Sequence, residues 1–189
     1  MSLVPAFDIG VWNAWIFTVL LLLPYFLVPF NIVPKGREGG SNFVDEFTKT
    51  QKGVFRSLHM LNFLMFIYSV FVPIKLGTIW FYVGLPIYLI GLVLYALVFV
   101  AFARTPAEKL VTGGIYRYSR NPMQLSGFIV IVGVGLATAS WIFLLLAVLF
   151  LIMPLSWLKA EERHLLKFYG DIYREYMDRT PRWIGIPKS

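Results

Sequence analysis

The chain has 189 residues, of which 58% are hydrophobic and 14% charged, and its mean hydropathy is +0.71. This composition excludes an ordinary soluble domain and indicates a membrane protein throughout its length. The net charge of +7 lies in short clusters between apolar segments, so it favours anionic lipid headgroups over nucleic acid as partner. The absence of cysteine excludes disulfides and cysteine-ligated metal, and we predict no metal site.

Five membrane-spanning helices are predicted, because crossing about 30 Å of hydrocarbon takes about 20 apolar residues. The last apolar run, residues 123–158, is nearly twice too long for one crossing and must fold back. Its cluster of small residues, 137–140, predicts the tight turn. The predicted spans are residues 11–30, 54–74, 78–101, 122–137 and 140–158.

The loop charges predict how these spans are oriented. With the N-terminus outside, every lysine and arginine except Lys75 lies at the cytoplasmic side, as the positive-inside rule requires. The first apolar segment reads as a retained span, since no lysine or arginine precedes Lys35. Residues 159–189 predict an amphipathic cytoplasmic tail on the membrane surface, with a break at Gly170 and regular structure ended by Pro181 and Pro187. We therefore predict one all-α membrane domain over residues 1–189.

The fourth span is preceded by GGIYRYSRNPMQLSG, residues 113–127. Asn121 is a favourable N-cap, Pro122 suits the first helical turn, and Gln124 stands where a capping box needs it. Arg117 and Arg120 then form either interfacial anchors or, with the exposed amides of the helix start, an anion site at headgroup depth.

A second informative stretch is PLSWLKAEERHLLKFYG, residues 154–170. At helical spacing its basic residues form one ridge, whereas Glu161 falls on the opposite, apolar face. A carboxylate on that face is costly unless a cation meets it. The cation is either an arginine of residues 113–127 or the ammonium of a ligand. Glu162 is ambiguous and open to solvation.

Two features of the spans have both a structural and a functional interpretation. Arg56 and His59 share one face of the second span, where they either line a substrate entrance or pack between helices. Gly127, Gly133 and Gly135 follow no strand, so they indicate close helix packing and not a nucleotide loop.

The stretches IYRYSRNPM and AEERHLLKFYGDIYREYMDRTPRWIGIP resemble the C-terminal half of the isoprenylcysteine carboxyl methyltransferases and the related phospholipid N-methyltransferases. The resemblance covers about residues 105–187. It implies a cytoplasmic pocket for S-adenosylmethionine, formed by the start of the fourth span, the helical hairpin and the tail. In that family the position of Glu161 binds the cofactor, through its ammonium on our interpretation. The other cofactor residues that we expect are Tyr116, Arg117, Arg120, Asn121, Pro122 and Gln124.

Methyl transfer from a sulfonium needs alignment and exclusion of water more than acid–base groups. A protonated amine acceptor needs a base, for which His164, Glu162 or a lipid phosphate are the candidates. A carboxylate acceptor needs none. His164 is equally explained as an interfacial anchor.

Departures from the family pattern bear on the acceptor. Asn121 stands where the prenylcysteine enzymes usually have His, and Gln124 replaces a common Tyr. Trp157 occupies the position of a substrate-binding Arg, for which Arg182 is a possible substitute. A lipid amine is therefore favoured over a prenylcysteine carboxylate. The alternatives are another small amphiphile, a non-catalytic membrane scaffold, a transporter or a nicotinamide-dependent membrane reductase, and no obligate protein partner is predicted.

Overall fold

The computed structural model describes residues 7–27, 43–106 and 108–186, and the regular structure in these ranges is helical. The all-α class of polytopic membrane protein predicted from the sequence is confirmed. The described α-helices are α1 (Trp15–Leu27), α2 (Lys49–Phe71), α3 (Ile79–Arg104), α4 (Pro122–Ala137), α5 (Trp141–Ile152), α6 (Leu158–Tyr169) and α7 (Asp171–Arg179). Short 3-10 helices cover Phe43–Glu46, Gly114–Arg117 and Met153–Ser156.

Two of the described helices, α2 and α3, are long and apolar enough to cross a membrane alone. A third candidate is a bent pair, Trp141–Ser156 with α6, whose axes meet at 47°. The predicted fifth span is thus interrupted by the 3-10 helix containing Pro154, because proline cannot continue the hydrogen-bond ladder. Helix α4 is apolar but shorter, and residues 28–30 of the first predicted span lie outside the described residues. The count of five spans stays a prediction.

The turn between α4 and α5 lies at the predicted small-residue cluster. Ala139 adopts a φ of 50°, and the amide of Ser140 donates to Gly135 O at 2.8 Å. The Ser140 hydroxyl accepts a hydrogen bond from the Phe143 amide and so caps α5. Helix α5 consequently runs back beside α4, toward the end of the bundle where α4 begins.

Glycines bring α3 and α4 into backbone contact. A Cβ added at Gly84 of α3 would lie closer than 3.0 Å to the backbone of Ala137, and one at Gly133 of α4 would lie as close to that of Tyr88. Tyr88 is fully buried between the helices and donates its hydroxyl to Phe17 O of α1 at 2.7 Å. These contacts pair the start of α3 with the end of α4, so the two helices run antiparallel and the first turn of α4 lies near the end of α3.

The C-terminal part folds back over the start of α4. The break predicted at Gly170 separates α6 from α7, with φ +56° at the glycine. After α7, residues 180–185, here called the C-terminal strap, run beside residues 118–121. The amide of Arg120 donates to Pro181 O at 3.0 Å, and that of Gly185 to Tyr118 O at 3.1 Å. Pro187 lies outside the described residues.

Candidate functional site

A cavity of about 240 Å³ opens where the start of α4, the end of α3, α6 and α7 converge. Its wall is rich in aromatic side chains and carries few polar ones. The lining residues are Phe102, Leu110, Val111, Tyr116, Arg120, Asn121, Pro122, Met123, Gln124, Pro154, Trp157, Leu158, Glu161, Leu165, Tyr169, Tyr173 and Tyr176.

Glu161 lies in this wall without an ion-pair or hydrogen-bond partner in the part of the chain that the structure describes. Burial and, to a smaller extent, the nearby charge of Glu162 raise the pKa of its carboxyl to about 7, with His164 opposing both. The expectation that an arginine of residues 113–127 would meet Glu161 is therefore wrong.

The ion pair is formed instead by Glu162, whose side chain turns to the other side of α6. Its Oε1 accepts hydrogen bonds from Arg120 Nη1 at 2.8 Å and Arg182 Nε at 3.1 Å, and its Oε2 accepts one from Arg182 Nη2 at 2.6 Å. Glu162 is only 8% exposed, so the interpretation as a solvated residue is wrong. Successive helical residues point about 100° apart, and this rotation gives the two glutamates different surroundings.

The start of α4 differs in detail from the prediction. Pro122 is the first helical residue, as expected, but the Asn121 side chain does not cap the helix. Asn121 Nδ2 donates to Arg182 O at 3.0 Å, and Gln124 Nε2 donates to Phe150 O, so no capping box forms there. The Asn121 side chain thus binds a carbonyl group of the C-terminal strap and does not cap α4.

A capping box that sequence reasoning missed lies at the start of α2. Thr48 Oγ1 accepts from the Gln51 amide at 3.2 Å, and Gln51 Oε1 accepts from the Thr48 amide at 2.9 Å. The Thr-x-x-Gln pattern was the available signal.

The structure brings most of the expected cofactor residues into one place. Six of the seven line the cavity, namely Tyr116, Arg120, Asn121, Pro122, Gln124 and Glu161. The seventh, Arg117, is exposed and outside the lining. Among the expected substrate residues Trp157 lines the cavity, whereas Arg182 is connected to it through Glu162.

The remaining predicted residues lie elsewhere. His164 Nδ1 is 3.0 Å from Glu46 Oε1, on the side of α6 that meets the first 3-10 helix, and its buried Nε2 has no partner among the described residues. Neither His164 nor Glu162 lines the cavity, which argues against either as the base. Arg56 and His59 are exposed on α2 and are likewise absent from the wall, so their role at an entrance stays a prediction.

Sequence reasoning also missed the tyrosines of the last two helices. Tyr169, Tyr173 and Tyr176 all line the cavity. Tyr173 and Tyr176 are three residues apart in α7, and this spacing is the helical signal that could have placed them on one face, whereas Tyr169 precedes the break at Gly170. Tyr176 donates its hydroxyl to Tyr116 O at 2.8 Å, which ties α7 to the segment before α4. Burial raises the pKa of Tyr173 to about 12, so this phenol stays protonated at neutral pH.

Comparison with known proteins gives two matches. Residues 83–172 match the family model described as phospholipid methyltransferase. Over 89 residues the chain is 36% identical to the protein-S-isoprenylcysteine O-methyltransferase of Schizosaccharomyces pombe. That match covers 47% of this chain and 37% of the relative, so the chain matches little more than a third of that protein's length.

The family match begins earlier than expected and ends sooner. It starts at residue 83, inside α3, and stops at residue 172, so the C-terminal strap lies beyond it. The first stretch that carried the predicted resemblance, IYRYSRNPM, lies within the match, whereas less than half of the second stretch, residues 160–172, does. The resemblance of this chain to the phospholipid and isoprenylcysteine group of membrane methyltransferases is therefore confirmed.

Proposed function

We propose that the chain is an S-adenosylmethionine-dependent methyltransferase whose cavity holds the cofactor and whose acceptor is a lipid or lipid-like amphiphile. The observation that carries the proposal is the Glu161 carboxyl, which faces an aromatic cavity without a partner among the described residues. A scaffold protein gives no reason for that arrangement, since a buried carboxyl without a cation is destabilising.

The residues of the cavity suit a ligand with two positive centres. S-adenosylmethionine carries an ammonium and a sulfonium, and we assign the ammonium to Glu161. Aromatic faces attract cations, and six aromatic side chains line the cavity. A volume of about 240 Å³ lies just below the roughly 300–1,000 Å³ of ordinary ligand pockets, so the cavity has room for one small molecule at most. The acceptor then approaches from outside the cavity, through the bilayer.

For this chemistry the cavity residues must orient the methyl group toward the acceptor and exclude water. When bound, the cofactor supplies an electrophilic methyl group, which the acceptor's lone pair takes in line as the bond to sulfur breaks and leaves a neutral thioether. Tyr116, Tyr173 and Tyr176 enclose the cavity and exclude water. Glu161 holds the ammonium end and so fixes the direction of the methyl group.

Charge within the cavity favours an amine acceptor. Arg120 lines the wall but is paired with Glu162, and Trp157 stands where the resemblance leads one to expect an arginine. A carboxylate would therefore meet no free cation among the described lining residues. A lipid amine must lose a proton before attack, and we assign that proton to the lipid's own phosphate, because Glu162 already accepts hydrogen bonds on both oxygens.

A prenylcysteine carboxylate is the second candidate, and the S. pombe relative is the observation that favours it. The carboxylate of a prenylcysteine would need a cation to bind it, and the arginine in the described cavity wall is already paired with Glu162. Arg120 is the nearest, because it already lines the wall. This acceptor would have to compete with Glu162 for the guanidinium.

We further propose that the C-terminus is cytoplasmic and that the tail lies on anionic headgroups. Exposed apolar side chains on the tail support this position, since they would otherwise face water: Phe168 is 46% exposed, Ile172 63% and Ile184 80%.

The test is to incubate the purified full-length protein in detergent with methyl-labelled S-adenosylmethionine and either a total lipid extract or a prenylated cysteine. Label in an aminophospholipid is the expected result, and label only in the prenylated cysteine would favour the second candidate. Absence of cofactor binding in calorimetry would contradict both and favour a scaffold.

A further inference from the structure

We propose that Glu162 is a positioning residue, which holds Arg120 and Arg182 in an ion-pair triad and so keeps either guanidinium group from pairing with Glu161 in the cavity wall. The proposal rests on the proposed function, because it concerns the same cavity. Glu162 itself does not line that cavity and acts through its neighbours.

The triad is compact and largely shielded from solvent. The side chains of Arg120 and Glu162 are each 11% exposed, and that of Arg182 is 37% exposed. Arg182 binds both carboxylate oxygens, a geometry that fixes the guanidinium plane as well as its distance. Two cations share one carboxylate, so the triad carries one net positive charge beside Glu161.

The triad also joins three segments that are distant in sequence. Arg120 precedes α4, Glu162 lies in α6, and Arg182 belongs to the C-terminal strap. The strap adds main-chain hydrogen bonds to residues 118–120, and Asn121 donates to Arg182 O. Arg182 lies beyond residues 83–172, the part of the chain that the family model matches.

Electrostatics gives the triad a measurable consequence at Glu161. Removing the charge of Glu162 takes away a like charge and frees two cations, and both changes lower the Glu161 pKa. Removing Arg182 leaves the negative charge of Glu162 less compensated, and this change raises the Glu161 pKa. The other titratable or charged groups around this site are Arg120, His164 and the four tyrosines of the cavity wall, with Glu46 and Lys167 beyond His164; the tyrosines are Tyr116, Tyr169, Tyr173 and Tyr176.

The experiment is a carbon-detected NMR titration of the full chain in detergent, labelled at glutamate carboxyls and without ligand. The Glu161 signal is identified by its loss in Glu161→Gln. We expect the titration midpoint to fall by about 0.5 pH unit or more in Glu162→Gln and to rise by a similar amount in Arg182→Met. Arg182→Lys keeps the charge and should leave the midpoint close to that of the natural protein.

Arg174→Met is the matched control, because it removes the same charge from an exposed side chain of α7. It should leave the midpoint unchanged. Should Glu162→Gln fail to fold, as judged by its elution from a sizing column, the comparison of Arg182→Met with Arg182→Lys decides alone. Equal midpoints in the natural protein, Glu162→Gln and Arg182→Met would overturn the proposal, as would shifts in one common direction.

Calorimetry with S-adenosylmethionine separates this inference from the proposed function. If the natural protein binds the cofactor, its affinity should fall as the pH is lowered, and the pH of this fall, here called the acid limb, should move with the titration midpoint in each variant. If it binds none while the midpoints still shift in opposite directions, the triad stands and the proposed function falls. Binding whose acid limb is the same in all variants counts against the triad.

Discussion

At the scale of single residues, the difference between Glu161 and Glu162 controls the chemistry of the site. They are adjacent in the chain, yet one has no partner among the described residues and the other satisfies two guanidinium groups. The paired glutamate costs less to bury than an unpaired one, because two guanidinium groups offset part of its desolvation. The unpaired one stores an unfavourable energy that a cationic ligand can release.

Cofactor affinity should therefore depend on pH. Burial raises the pKa of Glu161 from its ordinary value to about 7, so lowering the pH through 7 protonates the carboxyl and removes the charge that binds the ammonium. We expect the dissociation constant to rise about tenfold per pH unit below that midpoint. Calorimetry between pH 5.5 and pH 7.5 measures it.

The same argument predicts the behaviour of Glu161→Gln. Its affinity should be lower by about 1.5 to 3 kcal/mol at pH 7.5, since a hydrogen bond to a charged group is lost. Its acid limb should also vanish, because glutamine does not titrate. An affinity equal to that of the natural protein would refute the assigned role of Glu161.

At the scale of elements, α3 and α4 act as one unit because glycines let their backbones touch. Gly133→Ala should destabilise the protein by about 1–3 kcal/mol, since the added methyl group meets the Tyr88 backbone. Gly53→Ala is the matched control, because Gly53 is exposed in the second turn of α2 and nothing lies within 4 Å of its added Cβ. That change should stabilise by about 0.5–1 kcal/mol through helix propensity. Thermal unfolding in detergent compares them, and equal effects would contradict the packing.

The first 3-10 helix should depend on its contact with α6. Glu46 accepts from His164 and Lys167, and these hydrogen bonds hold its pKa below the ordinary value. A lowered pKa contributes stability above the unfolded value of 4.5, and that contribution is lost as the pH falls through the folded pKa. At pH 7, limited proteolysis should cleave Glu46→Gln near Phe43–Glu46 faster than it cleaves the natural protein. The natural protein should show the same faster cleavage at acidic pH, where Glu46 is protonated. Equal cleavage of both proteins at pH 7 would show that the contact is dispensable.

At the scale of the molecule, local patterns were predictable and long-range pairings were not. The turn at residues 137–140 and the helix start at Pro122 follow from short-range backbone chemistry. The pairing of Glu162 with Arg182 could not be predicted, because it depends on a strap returning from beyond α7. That return also removed the predicted Asn121 cap, since the side chain donates to Arg182 O instead.

The orientation of the whole molecule is testable because the chain has no cysteine of its own. Leu76, between α2 and α3, is 47% exposed, and the Arg174 side chain on α7 is 71% exposed, so each can carry a single introduced cysteine. The positive-inside distribution predicts that they lie on opposite sides of the membrane. In sealed right-side-out vesicles, an impermeant maleimide should label Leu76→Cys at once and Arg174→Cys only after permeabilisation. The reverse pattern would place the cavity on the outer face, away from cytosolic S-adenosylmethionine, and would contradict the proposed function.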